Sequence, residues 1–172
     1  MAFKKILVIK LRSLGDTVIS TAAIQQLRDA NPDAQIHALV YAPWDQLLSS
    51  HPAINRLIPV ERHRERTARY KTLARLGLHL RKEGYDCAVV FHASPSTATL
   101  AFAVGATTRS IHFHGHKDKN RHSTVEIPGK GTVKPIVERD MDTVRALGGP
   151  KIPEGKMPTL YLSMPEITTW RE

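Results

Sequence analysis

A short apolar run without polar alternation, Ile6–Ile9, constrains the fold of this chain more than any other stretch. Such a run is typical of a strand that is buried on both faces, as in a parallel sheet. After a tight loop, apolar residues recur at helical spacing between Ile19 and Ala30, and Pro32 ends that pattern. The first unit is therefore strand, loop and helix. Asp16 lies at the carboxyl end of the strand, where open α/β sheets bind their ligands.

The rest of the chain repeats this alternation of short strands and helices. Further strands are predicted at 35–41, 54–60, 86–91, 109–113 and 158–163, and helices at 69–83, 95–104 and 135–147. Pro59 indicates that the third strand lies near an edge of the sheet. The pattern predicts an α/β fold, a three-layer Rossmann-like domain with a mainly parallel sheet, in which strands 5–9 and 87–91 are central.

Charge and cysteine content narrow the class of protein. The 172 residues carry a formal net charge of +9, which favours an anionic partner such as a nucleic acid, a phosphorylated sugar or an acidic membrane surface. Cys87 is the only cysteine, so an internal disulfide and a cysteine-based zinc site are excluded. No apolar run is long enough for a signal peptide or a membrane span, which predicts a cytoplasmic protein.

Positive charge concentrates at 61–82, where eight arginines and lysines face two glutamates. The stretch ERHRERTARY (61–70) lacks apolar periodicity and is predicted to form an exposed loop, with helical spacing from Arg69 onwards. One interpretation is a solvated loop and helix face. The other is an anion-binding flap that follows the third strand.

Histidines raise two further hypotheses. His92 follows the fourth strand, at the same sheet edge as Asp16, and is either a structural residue or a substrate contact. Three histidines alternate over 112–116, which is compatible with a metal site on a strand. Because no carboxylate or cysteine completes the set at short spacing, we predict a mobile basic loop over 112–122 that binds no metal.

Several segments together resemble the amino-terminal half of glycosyltransferase family 9, the ADP-heptose:lipopolysaccharide heptosyltransferases. The resemblance rests on KILVIKLRSLGDTVISTAAIQQLRDANPDAQIHALVY, then HPAINRLIPV, YDCAVVFHAS and VERDMDTVRALG. The S-L-G-D loop after a strand is its specific part. The similarity is greatest to the inner-core enzymes that add the later heptoses.

The resemblance implies the N-terminal half of a GT-B glycosyltransferase, in which two Rossmann-like domains face each other across a cleft. Residues 1–163 would be the acceptor-binding domain, and 164–172 would begin the interdomain linker helix. A second domain, absent from this sequence, would bind the donor ADP-heptose, so the 172-residue fragment alone is expected to be inactive. The family's transfer inverts the anomeric centre without a covalent intermediate, and we expect no cofactor and no metal for this chain.

The family pattern also assigns roles to residues. Asp16 would be the catalytic base, although a plain helix cap is the alternative. The acceptor is the anionic Kdo–lipid A inner core, so peripheral contact with the cytoplasmic face of the inner membrane is expected. Acceptor contacts are predicted from the loop residues Arg12, Ser13 and Gly15, from His92, and from the flap arginines Arg62, Arg64 and Arg66.

Two other classes of function compete with this one. A Rossmann-like module that binds nucleotide or nucleic acid without catalysis would suit the charge. However, no G-x-G-x-x-G or G-x-x-x-x-G-K follows the first strand, and aromatic residues make up only 6% and do not interleave the basic run. We therefore expect no nucleic acid partner. A non-catalytic interaction domain that keeps the same fold is the third interpretation.

Overall fold

The computed structural model describes residues 2–112, 121–127, 134–148 and 157–162. In chain order the elements are β1 (Lys5–Lys10), α1 (Leu14–Ala30), β2 (Gln35–Tyr41), β3 (Arg56–Val60), α2 (Arg66–Leu80), β4 (Cys87–Val90), α3 (Pro95–Val104), β5 (Thr108–Ile111) and α4 (Ile136–Arg145). Short 3-10 turns lie at Trp44–Leu48 and at Arg81–Glu83.

The described strands form one five-stranded parallel sheet in the order β3-β2-β1-β4-β5. β1 occupies the centre, with Ile6 opposite Ile36 of β2 on one side and opposite Cys87 of β4 on the other. The prediction of an α/β domain with β1 and β4 as central strands is confirmed. Pro59 lies in β3, at the edge of the sheet, where its missing N–H disturbs no second ladder.

Helices cover both faces of the sheet, which gives the predicted three layers. Ile6 and Val8 point into a core shared with α1 and α4, whereas Leu7 and Ile9 point into a core shared with α2 and α3. All four side chains are fully buried, because successive residues of a strand point to opposite faces. This two-sided burial explains why the run carries no polar alternation.

Cys87 begins β4 and is completely buried in the core beneath α1 and α4. Burial in apolar surroundings raises the pKa of its thiol, and the nearby Asp86 carboxylate raises it further. The thiol is therefore buried and little reactive.

The beginning of α2 differs from the prediction. The helix starts at Arg66 instead of Arg69, so the exposed loop after β3 covers only residues 61–65. Glu65 has the extended backbone of an N-cap, and the first helical turn is polar and solvated. A first turn whose one apolar residue is Ala68 leaves no periodic signal in the sequence, although its residues tolerate the helix well.

The last predicted strand is wrong over the residues that are described. Residues 157–162 pair with no strand there, and Leu160 and Leu162 remain 43% and 54% exposed. The segment instead contacts α1, where the Thr159 N–H donates to Thr21 Oγ1 at 2.9 Å. The remaining predictions for 113–120 and for the linker helix at 164–172 lie outside the described residues. Among those described, no helix is both long enough and apolar enough to cross a bilayer.

Candidate active site

The candidate site lies where the order of the strands reverses. From β1 the chain proceeds outward to β2 and β3, then returns to the other side of β1 to form β4 and β5. In parallel α/β sheets this switch point opens a crevice at the carboxyl ends of the strands. A small cavity of about 60 Å³ occupies it, and its lining residues are Lys10, Arg12, Asp16, Phe91, His92, His112, Ile136, Arg139 and Asp140.

Asp16 reaches this cavity from the first turn of α1. The N-cap of the helix is Ser13, so Asp16 is the third helical residue and the plain N-cap interpretation is wrong. Ser13 Oγ donates to Asp16 Oδ2 at 2.5 Å, and Arg12 Nε lies 3.6 Å from the same oxygen. The carboxylate side chain is 13% exposed, so it is held in place and still open to the cavity.

Partial burial raises the pKa of Asp16, but the other influences outweigh it. The Ser13 hydrogen bond and the charges of Lys10 and Arg12 lower the pKa, and the resulting pKa lies below the ordinary value for an aspartate. The carboxylate is therefore ionised at neutral pH, and the positive end of α1 adds to that preference.

The same cavity is lined by a buried ion pair that the sequence did not predict. Lys10 Nζ lies 2.6 Å from Asp140 Oδ2, and both side chains are only 1% exposed. Lys10 ends β1 and Asp140 lies on α4, so 130 positions of sequence separate the partners. The ammonium group also lies 5.8 Å from the centre of the Phe91 ring.

Asp140 uses only one of its oxygens in this pair. Its Oδ1 is buried and has no hydrogen-bond partner, and the same is true of Nε of the neighbouring Arg139. Burial raises the pKa of Asp140 to about 6, against the lowering influence of Lys10. A buried carboxylate oxygen without a donor is costly, which marks this wall of the cavity as unsatisfied by the protein itself.

Gly15 lies in the helical part of α1 and needs no special backbone conformation, because positive φ among described glycines occurs only at Gly84, Gly105 and Gly148. A Cβ atom built on Gly15 would meet no other atom within 4 Å. Neither the turn nor a packed neighbour therefore requires a glycine here. Its effect is to leave the surface beside Asp16 open.

The flap arginines divide into two groups. Arg62 and Arg64 lie on the exposed loop after β3, and neither lines the small cavity beside Asp16. Arg66 borders a second, larger cavity of about 290 Å³ between the beginnings of α2 and α3, together with Arg69, Tyr70, Ser94, Pro95 and Ser96. Ser94 caps α3 in a reciprocal capping box with Thr97.

The predicted contact residue His92 lies in the loop between the two cavities. It lines the small cavity, while Ser94 of the same loop and the first two residues of α3 line the large one. The small cavity thus brings Arg12, Asp16 and His92 together, whereas Arg66 lines the larger cavity on the other side of this loop. Their roles in binding stay predictions. Among the described residues, no group of three or more histidine, cysteine or acidic side chains is arranged to hold a metal ion.

Lys10, His112, Arg139 and Asp140 were not recognised as site residues. A lysine at the end of a fully apolar strand is a usable signal, because a buried ammonium requires a counter-charge. The identity of that counter-charge is not local, since Asp140 sits in an ordinary amphipathic helix. Only the topology brings the two together.

Comparison with known proteins finds that the chain is similar to heptosyltransferases. The chain is 28% identical over 142 residues to lipopolysaccharide heptosyltransferase 3 of Escherichia coli (strain K12), covering 80% of this chain and 41% of that protein. No protein family model matches the chain.

Solved structures agree with this result. A glycosyl transferase family 9 structure from Veillonella parvula DSM 2008 superimposes with a TM-score of 0.72 at 19% identity, over 94% of this chain and 45% of the other. The E. coli ADP-heptose lps heptosyltransferase II gives a TM-score of 0.69 at 22% identity, over 96% and 49%. The chain therefore spans less than half the length of each of these proteins. The resemblance to glycosyltransferase family 9 indicated by the S-L-G-D loop is confirmed.

Proposed function

We propose that this chain is the acceptor-binding half of an inverting glycosyltransferase, one that transfers heptose from ADP-heptose to the inner core of lipopolysaccharide. Asp16 is the catalytic base of the proposed reaction. The observation that carries the proposal is the placement of an ionised, part-buried carboxylate at the topological switch point, beside a glycine that leaves its approach open. The similarity to E. coli heptosyltransferases 3 and II supports the substrate class.

In the proposed step, the oxygen of an acceptor hydroxyl attacks the anomeric carbon of the donor. The bond between that carbon and the diphosphate breaks on the opposite side, so the configuration inverts. Asp16 takes the proton that the acceptor oxygen loses. Because its pKa is lowered, Asp16 is a weak base, and most of its effect must come from position. The hydrogen bond from Ser13 and the ion pair with Arg12 supply that position.

The anionic groups of the acceptor are the proposed ligands of the basic flap. Arg62 and Arg64 are exposed, and Arg66 and Arg69 border the larger cavity next to the capped beginning of α3. Guanidinium groups bind carboxylate and phosphate oxygens in pairs of hydrogen bonds, and a Kdo–lipid A inner core carries both kinds of anion. Such an acceptor is anchored in a bilayer, so the protein is proposed to work at the cytoplasmic face of the inner membrane.

The test changes Asp16 to Asn in the polypeptide that carries this chain together with a donor-binding domain. Turnover with ADP-heptose and a Kdo-containing inner-core acceptor should fall by roughly 100-fold or more, the usual scale for removing a general base. Binding of the acceptor to the 172-residue chain should change by less than about threefold, because asparagine keeps the shape of the side chain.

The matched control is Asp29→Asn, which makes the same chemical change in the exposed last turn of α1 and should leave turnover intact. If Asp16→Asn were as active as the control, Asp16 would be a structural residue of the helix and the proposed mechanism would be wrong.

A further inference from the structure

We infer that Asp140 and Arg139 together bind a second hydroxyl group of the acceptor sugar, next to the hydroxyl that Asp16 activates. This inference rests on the proposed function and adds to it a binding pair on α4 that contributes to sugar selection. The ligand class is a neutral, polyhydroxylated ring whose hydroxyl edge enters the small cavity.

The first argument is the unfilled hydrogen-bonding capacity of Asp140. Its side chain is 99% buried, and one oxygen pairs with Lys10, yet Oδ1 accepts no hydrogen bond from the described residues. A buried acceptor without a donor is costly, and more so when it is charged. A ligand that brings an O–H donor into the cavity would remove this penalty on binding.

The second argument is the complementary group beside it. Arg139 Nε is a buried donor without an acceptor, and Arg139 lines the same cavity. A hydroxyl group both donates and accepts, so it offers the donor that Asp140 Oδ1 lacks and the acceptor that Arg139 Nε lacks. A carboxylate or phosphate oxygen would offer Asp140 no proton, and an ammonium group would face Lys10, Arg12 and Arg139.

Size and rigidity agree with this ligand. A cavity of about 60 Å³ holds the hydroxyl edge of a ring and leaves the ring itself outside. Lys10 fixes the Asp140 carboxylate at 2.6 Å and keeps it in one orientation, so the acceptor oxygen is in place before the sugar arrives. A pre-ordered pair of this kind rejects sugars that lack the matching hydroxyl, because the buried groups then remain unpaired.

The experiment measures binding of a Kdo-containing inner-core oligosaccharide, and of its mono-deoxy analogues, to the 172-residue chain by calorimetry. The unmodified chain should bind one mono-deoxy analogue roughly 10- to 100-fold more weakly than the parent, the effect of one hydrogen bond to a charged group. The double variant Lys10→Met/Asp140→Leu removes the ion pair with apolar residues of similar size, which buried pairs often tolerate. It should bind the parent and that analogue equally weakly.

Two variants guard against a loss of fold. Lys134→Met/Asp142→Leu removes another 2.6 Å ion pair near the same helix but outside the cavity, and it should keep the unmodified preference. Arg139→Met leaves the Lys10–Asp140 pair intact and should lower affinity for the parent oligosaccharide by about fivefold or more. It should have less effect on the mono-deoxy analogue that the unmodified chain binds weakly.

A second readout follows the Asp140 carboxyl carbon by NMR during a pH titration. The groups that face Asp140 in the cavity are Lys10, Asp16, Arg12, Arg139, His92 and His112. A hydrogen bond donated to the ionised carboxylate stabilises that form, so adding the oligosaccharide should lower the apparent pKa of Asp140. A structural ion pair without ligand contact would show no such change.

The outcomes separate this inference from the function on which it rests. The inference is wrong if the chain binds the oligosaccharide but binds every mono-deoxy analogue equally well, or if the double variant keeps the preference for the parent. In either case water alone occupies the cavity beside Asp140, and the proposed acceptor site is unaffected. If the chain binds no oligosaccharide at all, the proposed acceptor is wrong and the inference falls with it.

Discussion

The buried Lys10–Asp140 pair predicts a strong and pH-dependent coupling in a double-mutant cycle. The perturbations are Lys10→Met, Asp140→Leu and the two together. At the observed separation of 2.6 Å, Coulomb's law with an effective dielectric constant of about 20 gives roughly 6 kcal/mol of attraction, much of which offsets the removal of both charges from water. Each single variant should lose about 3–5 kcal/mol of unfolding free energy, because it leaves the other charge buried alone.

The double variant should recover most of that loss, since well-packed apolar side chains often replace a buried pair without net cost. Urea unfolding of the 172-residue chain, followed by circular dichroism at pH 8, measures the four free energies of the cycle. The coupling energy should be at least about 3 kcal/mol. The more exposed pair Lys134–Asp142, in which the lysine side chain is 33% exposed, should give a much smaller coupling.

The sign of the pH dependence follows from the raised pKa of Asp140. The folded chain holds this proton up to a pH of about 6, whereas the unfolded chain releases it near the ordinary value, so ionisation of Asp140 lowers stability as pH rises through that interval. Lys10 limits this loss, and Lys10→Met should therefore be more destabilising at pH 8 than at pH 5. A cost that is equal at both pH values, or a coupling below about 1 kcal/mol, would refute this account of the pair.

Two further predictions concern packing and charge. Gly77→Ala should lower the unfolding free energy measured in urea by about 1 kcal/mol, because its Cβ would lie 2.8 Å from Ala103 Cβ and the overpacking outweighs the gain in helix propensity. Gly15→Ala, with open space around the new Cβ, should be neutral or stabilising. Equal effects on the unfolding free energy at both sites would contradict this. Replacing Arg62, Arg64 and Arg66 together by Ala should weaken binding of the Kdo-containing oligosaccharide about tenfold at low salt and by less at high salt. A loss of affinity that does not depend on salt concentration would indicate a structural effect.

Much of this fold is readable from the sequence because its determinants are local. The unbroken apolar run at β1 and the Ser-Pro start and Gly105 end of α3 lie within a few residues of the structure they produce. The position of Asp16 at the edge of the sheet follows from the strand that precedes it. Terminal strands are harder to predict, since residues 158–162 have a suitable composition but find no described strand with which to pair.

The part of the site that went unpredicted depends on distant residues. Asp140 resembles any acidic residue of an amphipathic helix until α4 packs across the sheet beside α1 and meets the end of β1. The extent of burial of Lys10 likewise results from that packing. Local patterns indicate that a buried lysine needs a partner, but only the assembled sheet and helices determine which carboxylate provides it.

Cys87 gives the chain an internal reporter of its own opening. Its sulfur lies beneath two helices, in a strand paired on both sides, so fraying of the ends or movement of the loops does not expose it. A thiol reagent can reach it only when α1 and α4 move off this face of the sheet or β4 leaves the sheet, which in either case opens the core. The rate at which this one cysteine is labelled under native conditions therefore reports how often this core opens.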